Sequence, residues 1–171
     1  MYEDYLTRGI VLKGRAHQED STEVVLFSEN IGRVRAVAQA AKRTGATFAA
    51  GTQPGVSADF ALIKGRYVWR VRGIYKLKYP FQELSGENRE AYLQTLGLFA
   101  RFLPENEPQV ELFNKLSNLP AELIKEGEVA QIRLIYCMLG VLGYADASKE
   151  FSDLPSLIRS VNESIRAAQL Q

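Results

Sequence analysis

Through the first 75 or so residues, apolar and polar positions alternate with period two, the spacing of half-buried strands. Thr7 to Arg15 reads as a first strand, with Ile10 and Leu12 on one side and Val11, Lys13 and Arg15 on the other. Thr22 to Ser28, rich in Val and Phe, is a second. Glu29-Asn30-Ile31-Gly32 is a tight connection with turn formers at its centre, so strands two and three form a hairpin. Strand three runs from Arg33 to about Ala38: Val34, Ala36 and Ala38 share the inner face, and Arg33 and Arg35 the outer. Gln39 to Gly55 loses the alternation and is rich in Ala, Gly and Thr, with no convincing helix. Val56 to Ile63 gives strand four, with Val56, Ala58, Phe60 and Leu62 inward, and Lys64-Gly65 turns the chain. Strand five, Arg66 to Ile74, sets Tyr67, Trp69 and Val71 against Arg66, Val68, Arg70 and Arg72.

After Tyr79-Pro80-Phe81 the period changes to three and four. Ser85 and Asn88 form an imperfect capping box that starts a helix reaching Leu103, with Tyr92, Leu93, Leu96, Phe99, Ala100 and Leu103 as its stripe. Pro104 ends it. A second helix runs from about Pro108 to Leu116, and Ser117-Asn118-Leu119-Pro120 reads as a turn. A third runs from about Ala121 to Leu142 and is apolar nearly all round from Ile132, so it sits at the centre of its bundle. Gly143 stops it. A fourth spans about Ser156 to Gln169.

These elements give an α+β protein: an N-terminal five-stranded OB-like β-barrel followed by a small α-helical bundle. SH3-like barrels fit the strand pattern nearly as well. The expected division is a barrel at 1–79 and a helical domain at 80–171. Charge sharpens it. The chain of 171 residues has a net charge of only +1, but residues 1–80 hold 13 Lys/Arg against 7 Asp/Glu, and residues 81–171 hold 8 against 13. A polyanion therefore belongs on the barrel.

The outward cations suit a groove that tracks a nucleic-acid backbone, since neutralising successive phosphates releases counterions. Lys13 and Arg15 come from strand one, Arg33 and Arg35 from strand three, and Arg66, Arg70 and Arg72 from strand five; Lys42 and Arg43 follow on a loop. The bland alternative is solvated surface charge. Tyr67 and Trp69 alternate with the arginines and are assigned to the barrel core rather than to base stacking. Nothing in the basic strand offers the paired contacts of base readout, so binding through phosphates is expected. In the central helix, Arg133 borders an apolar run; it either snorkels to a nearby Glu or rims a pocket for a peptide ending in Phe and a carboxylate.

Catalytic chemistry is not visible. One His and one Cys make no zinc constellation, Cys137 reads as a buried small hydrophobe, and there is no phosphate-binding or dinucleotide glycine loop. His17, Glu19 and Asp20 read as polar turn chemistry rather than a metal site. No cofactor and no enzymatic activity are expected. The lone cysteine, the acidic N-terminus and the lack of a long apolar run point to a cytoplasmic protein with no membrane contact.

Several segments resemble the RecO family of bacterial recombination mediators. They are Thr7-Arg8-Gly9-Ile10-Val11-Leu12-Lys13, Glu19-Asp20-Ser21, Leu26-Phe27-Ser28, Gly32-Arg33-Val34-Arg35-Ala36-Val37-Ala38, Lys42-Arg43 and Gln53-Pro54. Further on, Ile132-Arg133-Leu134 with Leu139-Gly140-Val141-Leu142-Gly143-Tyr144 resembles the family's helix ending in Leu-Gly-Tyr. The resemblance implies a barrel that binds single- and double-stranded DNA and anneals complementary strands. It also implies action with RecR in loading RecA, and a helical domain that takes the acidic, Phe-ending C-terminal tail of single-strand-binding protein. Arg133 falls where the family helix carries Arg. Two departures stand out: many members carry a four-cysteine zinc module after Leu-Gly-Tyr, and most are longer, with further C-terminal helices.

The expected function is thus a non-enzymatic DNA-binding and strand-annealing protein of recombinational repair that assists RecA loading. The alternatives are an adaptor that binds the single-strand-binding protein tail and holds DNA weakly, and an RNA-binding barrel, which pattern alone does not separate from a DNA-binding one.

Overall fold

A computed structural model gives the structure of the protein and describes residues 4–18, 20–39 and 46–169. Strands β1 (Asp4–Gln18), β2 (Ser21–Ser28), β3 (Gly32–Ala38), β4 (Ser57–Lys64) and β5 (Trp69–Lys78) form a closed barrel in the order β1-β2-β3-β5-β4. Neighbours are antiparallel except for β3 and β5, which pair in parallel at Ala36–Trp69, Val37–Arg70 and Ala38–Val71. This is the expected OB-like barrel. Its closure depends on β1 being longer than the hydrophobic alternation suggests. The first half of β1 pairs with β4 (Asp4–Ile63 through Ile10–Ser57), and the second half pairs with β2 (Gly9–Ser28 through Gln18–Ser21).

The barrel interior holds the faces that the alternation assigned on strands three and four: Val34, Ala36 and Ala38, then Val56, Ala58, Phe60 and Leu62. On β1 the assignment changes. The register of β1 against β2 shifts between Val11 and Lys13, where a bulge sets extra chain against one partner residue. Val11 enters the barrel, whereas Ile10 and Leu12 join the helical core and Lys13 is exposed. Strict alternation would have put Val11 on the side of Lys13.

Strand five starts at Trp69, three residues later than expected. Trp69 is buried inside the barrel, edge-on to Tyr5 with ring centroids 5.2 Å apart. Tyr67 is not core: it lies before the strand, on the β4–β5 loop, and is 85% exposed. A short helix, α1 (Ala46–Gly51), occupies part of the segment expected to be irregular. Its sequence, Ala-Thr-Phe-Ala-Ala-Gly, is too short to show a helical period.

Beyond a 3-10 turn at Pro80–Glu83 come α2 (Gly86–Phe102), α3 (Val110–Glu126), α4 (Glu128–Val141) and α5 (Leu154–Gln169). Ser85 caps α2 as expected, its hydroxyl accepting the Asn88 amide. The expected turn at Ser117–Pro120 is helix instead. The apolar stripe continues through it, with Leu112, Phe113, Leu116, Leu119, Pro120 and Leu123 all buried. A mid-helix Pro costs about 3 kcal/mol. Burying Leu119 within the expected turn and Leu123 beyond it is worth about 1.5–3 kcal/mol for each side chain, which offsets that cost. The real break is at Gly127, whose φ of +59° favours glycine. It divides the expected third helix, giving Ala121–Glu126 to α3. α4 is central as expected, packing on α2, α3 and α5. One hydrophobic core runs through α2–α5 and on to the outside of the barrel at Ile10, Leu12 and Phe27.

Candidate nucleic-acid interface

Strand register arranges the outer face of β1, β2 and β3 in three successive rows, because residues opposite one another in a ladder point to the same side. The first row is Ile10–Phe27–Arg33. Ile10 and Phe27 are fully buried under the helices. The Phe27 ring packs on Phe99 of α2 and Phe113 of α3, with centroids at 6.0 and 5.5 Å. The second row is Lys13–Val25–Arg35, with Val25 half-buried between two exposed cations. The third is Arg15–Glu23–Val37–Arg70, and it crosses four strands, because Val37 is the parallel partner of Arg70 on β5. The helices cover the first row and leave the third open.

Arg33 lies in the covered row, and its expected place on a DNA face is corrected. Its side chain is only 18% exposed. Nη1 donates to the Ala100 carbonyl of α2 at 3.1 Å, Nη2 lies 3.4 Å from the Glu105 carboxylate, and Nε is buried without a partner among the described residues. A guanidinium held this way ties the barrel to the helices and is closed to phosphate. Arg35, two residues on, is 56% exposed and pairs with the same Glu105 at 3.1 Å. An exposed pair of this kind is weak and exchangeable.

Glu105 belongs to the α2–α3 loop, which is fastened to the start of β3. Its backbone bridges Arg33, the Asn106 amide donates to the Arg33 carbonyl at 2.9 Å, and the Trp69 indole N–H donates to the Asn106 side chain at 3.2 Å. The loop comes so close at Gly32 that a Cβ there would lie 2.0 Å from the Glu107 carbonyl oxygen, and Gly32 also has φ of +86°. Only glycine meets both demands. Sequence reasoning missed Glu105 and Asn106 entirely. Pro104-Glu105-Asn106-Glu107-Pro108 marks a stiff loop but carries no sign of where it docks.

The remaining cations divide by partner. Lys13 and Arg70 are exposed and have no ion-pair partner among the described residues. Arg15 is 66% exposed and reaches Glu23 at 2.9 Å, a carboxylate that also has His17 at 3.6 Å. Arg72 lies 3.6 Å from Asp4. Arg66 sits on the β4–β5 loop with its guanidinium 5.2 Å from the centre of the exposed Tyr67 ring. Lys42 and Arg43 lie outside the described residues. The open surface thus carries cations from three strands, an arrangement suited to phosphates, and the exposed Tyr67 ring stands on the loop that leads into β5. Buried Trp69 takes no part.

Arg133 stands apart, on α4, 63% exposed and paired with Glu126 at 2.9 Å. It borders a cleft of about 930 Å³ walled by Tyr136, Cys137, Val141, Phe151 and Leu157. Burial raises the Cys137 thiol above its ordinary pKa, so it is a poor nucleophile there. Among the described residues no three His, Cys, Asp or Glu side chains gather to hold a metal, and Glu19 of the polar turn lies outside them. No helix among the described residues is long and apolar enough to cross a membrane.

The family model described as "Recombination protein O N terminal" matches residues 1–76, the stretch that holds nearly all of the barrel. The chain is 33% identical over 129 residues to a protein named DNA repair protein RecO from Alkaliphilus metalliredigens, covering 72% of this chain and 50% of that one. It is 28% identical over 133 residues to the protein of the same name from Syntrophobacter fumaroxidans (76% and 52%), and 27% over 150 residues to that from Acetivibrio thermocellus (81% and 57%). The chain spans about half the length of the curated relatives it matches. These alignments run past the barrel into the helices, so the likeness is not confined to one small domain, and together the matches support a RecO family protein.

Proposed function

We propose that this protein works in DNA repair and recombination as a non-enzymatic DNA-binding protein. Its open barrel face, made by Lys13, Arg15, Arg35 and Arg70 with Arg66 and Tyr67 at the margin, holds single- and double-stranded DNA through phosphates. The observation that carries this is the row in which Arg15 and Arg70 stand on one outer surface across four strands, with Lys13 and Arg35 in the next row. Relatives that bear the name DNA repair protein RecO support the biological setting. Strand annealing follows from the same chemistry. Two strands repel through their phosphates, and a surface that neutralises both lets base pairing proceed without a catalytic residue. On this reading the protein acts in the cytoplasm at the nucleoid, without a cofactor. It anneals complementary strands and assists RecA loading with RecR, and the barrel (1–79) and helical region (80–171) are its two working parts.

A second reading rests on the cleft beside Arg133. A cleft with apolar walls, whose rim sets Arg133 and Lys149 among Glu111, Glu150 and Asp153, offers cations to the carboxylate of a peptide that ends in an aromatic side chain, such as the tail of single-strand-binding protein. Under it the helices carry the main activity and the barrel binds DNA weakly. One experiment separates these readings. The full chain is titrated with labelled single-stranded DNA, RNA of the same sequence and an acidic Phe-ending peptide across a range of salt. The first reading requires DNA binding that weakens steeply with salt. Peptide binding that is lost in Arg133→Ala, with negligible DNA binding at physiological salt, establishes the second. RNA bound more tightly than DNA makes the barrel an RNA module.

A further inference from the structure

A groove runs between the barrel and α2, beginning at the second row of the outer face. Leu12, Val25 and Pro54 form one side, and Leu93, Gly97 and Ala100 of α2 the other; its volume is about 650 Å³. Most of it is apolar, and Leu93 stands 44% exposed on its wall. Its charged lining consists of Lys13 and Arg101, with no carboxylate. Both cations are exposed and have no ion-pair partner among the described residues. Arg101 sits in the last turn of α2 with its guanidinium over Phe102, 5.4 Å from the ring centre. A neighbouring hollow shares Pro54 and continues along β1 past Gly14 to Arg15.

We infer that this groove is a nucleobase subsite for single-stranded DNA. One unpaired base inserts against Pro54 and Leu93 while its flanking phosphates rest on Lys13 and Arg101. The inference rests on the open barrel face binding DNA, and extends its path from Arg70 and Arg15 onto α2. Charge complementarity selects the occupant. An apolar cleft between two free cations suits a group that is flat and apolar with an anion at each end, which describes a nucleotide within a strand. An acidic segment without an aromatic side chain would lie along the cations but leave the apolar walls empty, and a plain aliphatic segment would leave both cations without a partner. A base inside a duplex cannot reach the groove without unstacking, so the subsite distinguishes single strands from duplex.

Gly97 provides the test, because a Cβ at this position meets nothing within 4 Å. Gly97→Leu fills the groove without touching a cation, and exchanging Gly for a good helix former leaves α2 intact. Binding of the variant chain is measured with a labelled oligothymidine, the same oligomer with abasic sites throughout, and a blunt duplex. The expected result is about tenfold weaker binding of the oligothymidine, the low end of what one stacked base supplies, with abasic and duplex affinities unchanged. Arg101→Gln is expected to weaken the oligothymidine and the abasic oligomer together while leaving the duplex alone. Leu93→Gln repeats the groove test by polarity rather than bulk. Oligothymidine affinity within twofold of the parent in both Gly97→Leu and Leu93→Gln overturns the subsite and leaves the groove to some other occupant. Equal weakening of oligothymidine and duplex overturns it too, making the groove a phosphate contact only. If the parent chain binds none of the three, the reading of the barrel face fails, and the subsite fails with it. The variant Arg15→Gln/Arg70→Gln keeps the two failures distinct, because it weakens both single strand and duplex whether or not the groove holds a base.

Discussion

The first and third rows on the outside of the barrel differ in what lies over them, although both cross β1, β2 and β3, the third continuing onto β5. Ile10, Phe27 and Arg33 face α2 and α3 and are spent on holding the molecule together. In the third row Arg15 and Arg70 are exposed at the two ends, with Glu23 and Val37 partly buried between them. Arg33 and Arg35 make the contrast sharpest. They are the same residue type, two positions apart on one strand, and both contact Glu105. One has its guanidinium against a helix carbonyl, and the other has it mostly in water. In an outward arginine, accessibility is decided by the element that lands on the strand and not by the strand itself.

The largest effect that tests this contrast is on stability. Phe27→Ala empties the junction between barrel and helices and is expected to cost about 3–5 kcal/mol, measured by urea unfolding of the whole chain. A loss under about 1 kcal/mol would show that the covered row is not a shared core. Gly32→Ala comes next, because the new Cβ collides with the Glu107 carbonyl and the backbone is at positive φ. It is expected to cost about 2–4 kcal/mol and to free the α2–α3 loop, which faster amide exchange at Asn106 reports.

The two arginines separate at smaller magnitude. Arg33→Ala removes a charged hydrogen bond to a partly buried helix carbonyl and is expected to destabilise by about 1–3 kcal/mol. Arg35→Ala is expected to change stability by less than about 0.5 kcal/mol, yet to weaken DNA binding. Equal stability losses would erase the distinction between the rows. The smallest effect is one of pH, far from both rows. The Ser156 amide and hydroxyl, then Ser152, favour the ionised Asp153 carboxylate at the start of α5 and lower its pKa below the ordinary 3.8. A lowered carboxylate pKa adds stability that is complete above the unfolded value and fades as pH falls through the folded one. The first turn of α5 should therefore exchange faster below about pH 4, and Asp153→Asn should remove that dependence.

Much of the barrel could be read from the chain, because one face of each strand is buried and period two records that burial directly. Val34, Ala36 and Ala38 are the clearest case. The β1 bulge was hidden, since Val11, Leu12 and Lys13 break the period only through their pairing with β2. Tyr67 was misplaced for a related reason: its alternation with Trp69 continues into a loop where no partner strand enforces it. In the helices, Pro120 suggests a turn more strongly than the unbroken apolar stripe suggests a helix, although burial of that stripe prevails in the fold. Gly127 was the truer signal. The candidate surface was legible as a set of cations but not as an arrangement. Removing Arg33 from it depends on a loop about 70 residues away, and adding Arg101 depends on the packing of α2 against Val25 and Pro54.

The central claim is that Arg15 and Arg70 act together on phosphates. Its most direct test is the salt dependence of single-stranded DNA binding in Arg15→Gln/Arg70→Gln, compared with the unchanged protein across a range of salt concentrations. For every phosphate that is no longer neutralised, the slope of log affinity against log salt flattens by about 0.7. The account predicts weaker binding at every salt concentration, a slope flatter by about 1.4, and an unchanged unfolding midpoint. An unaltered slope, with affinity equal to that of the parent, would contradict it.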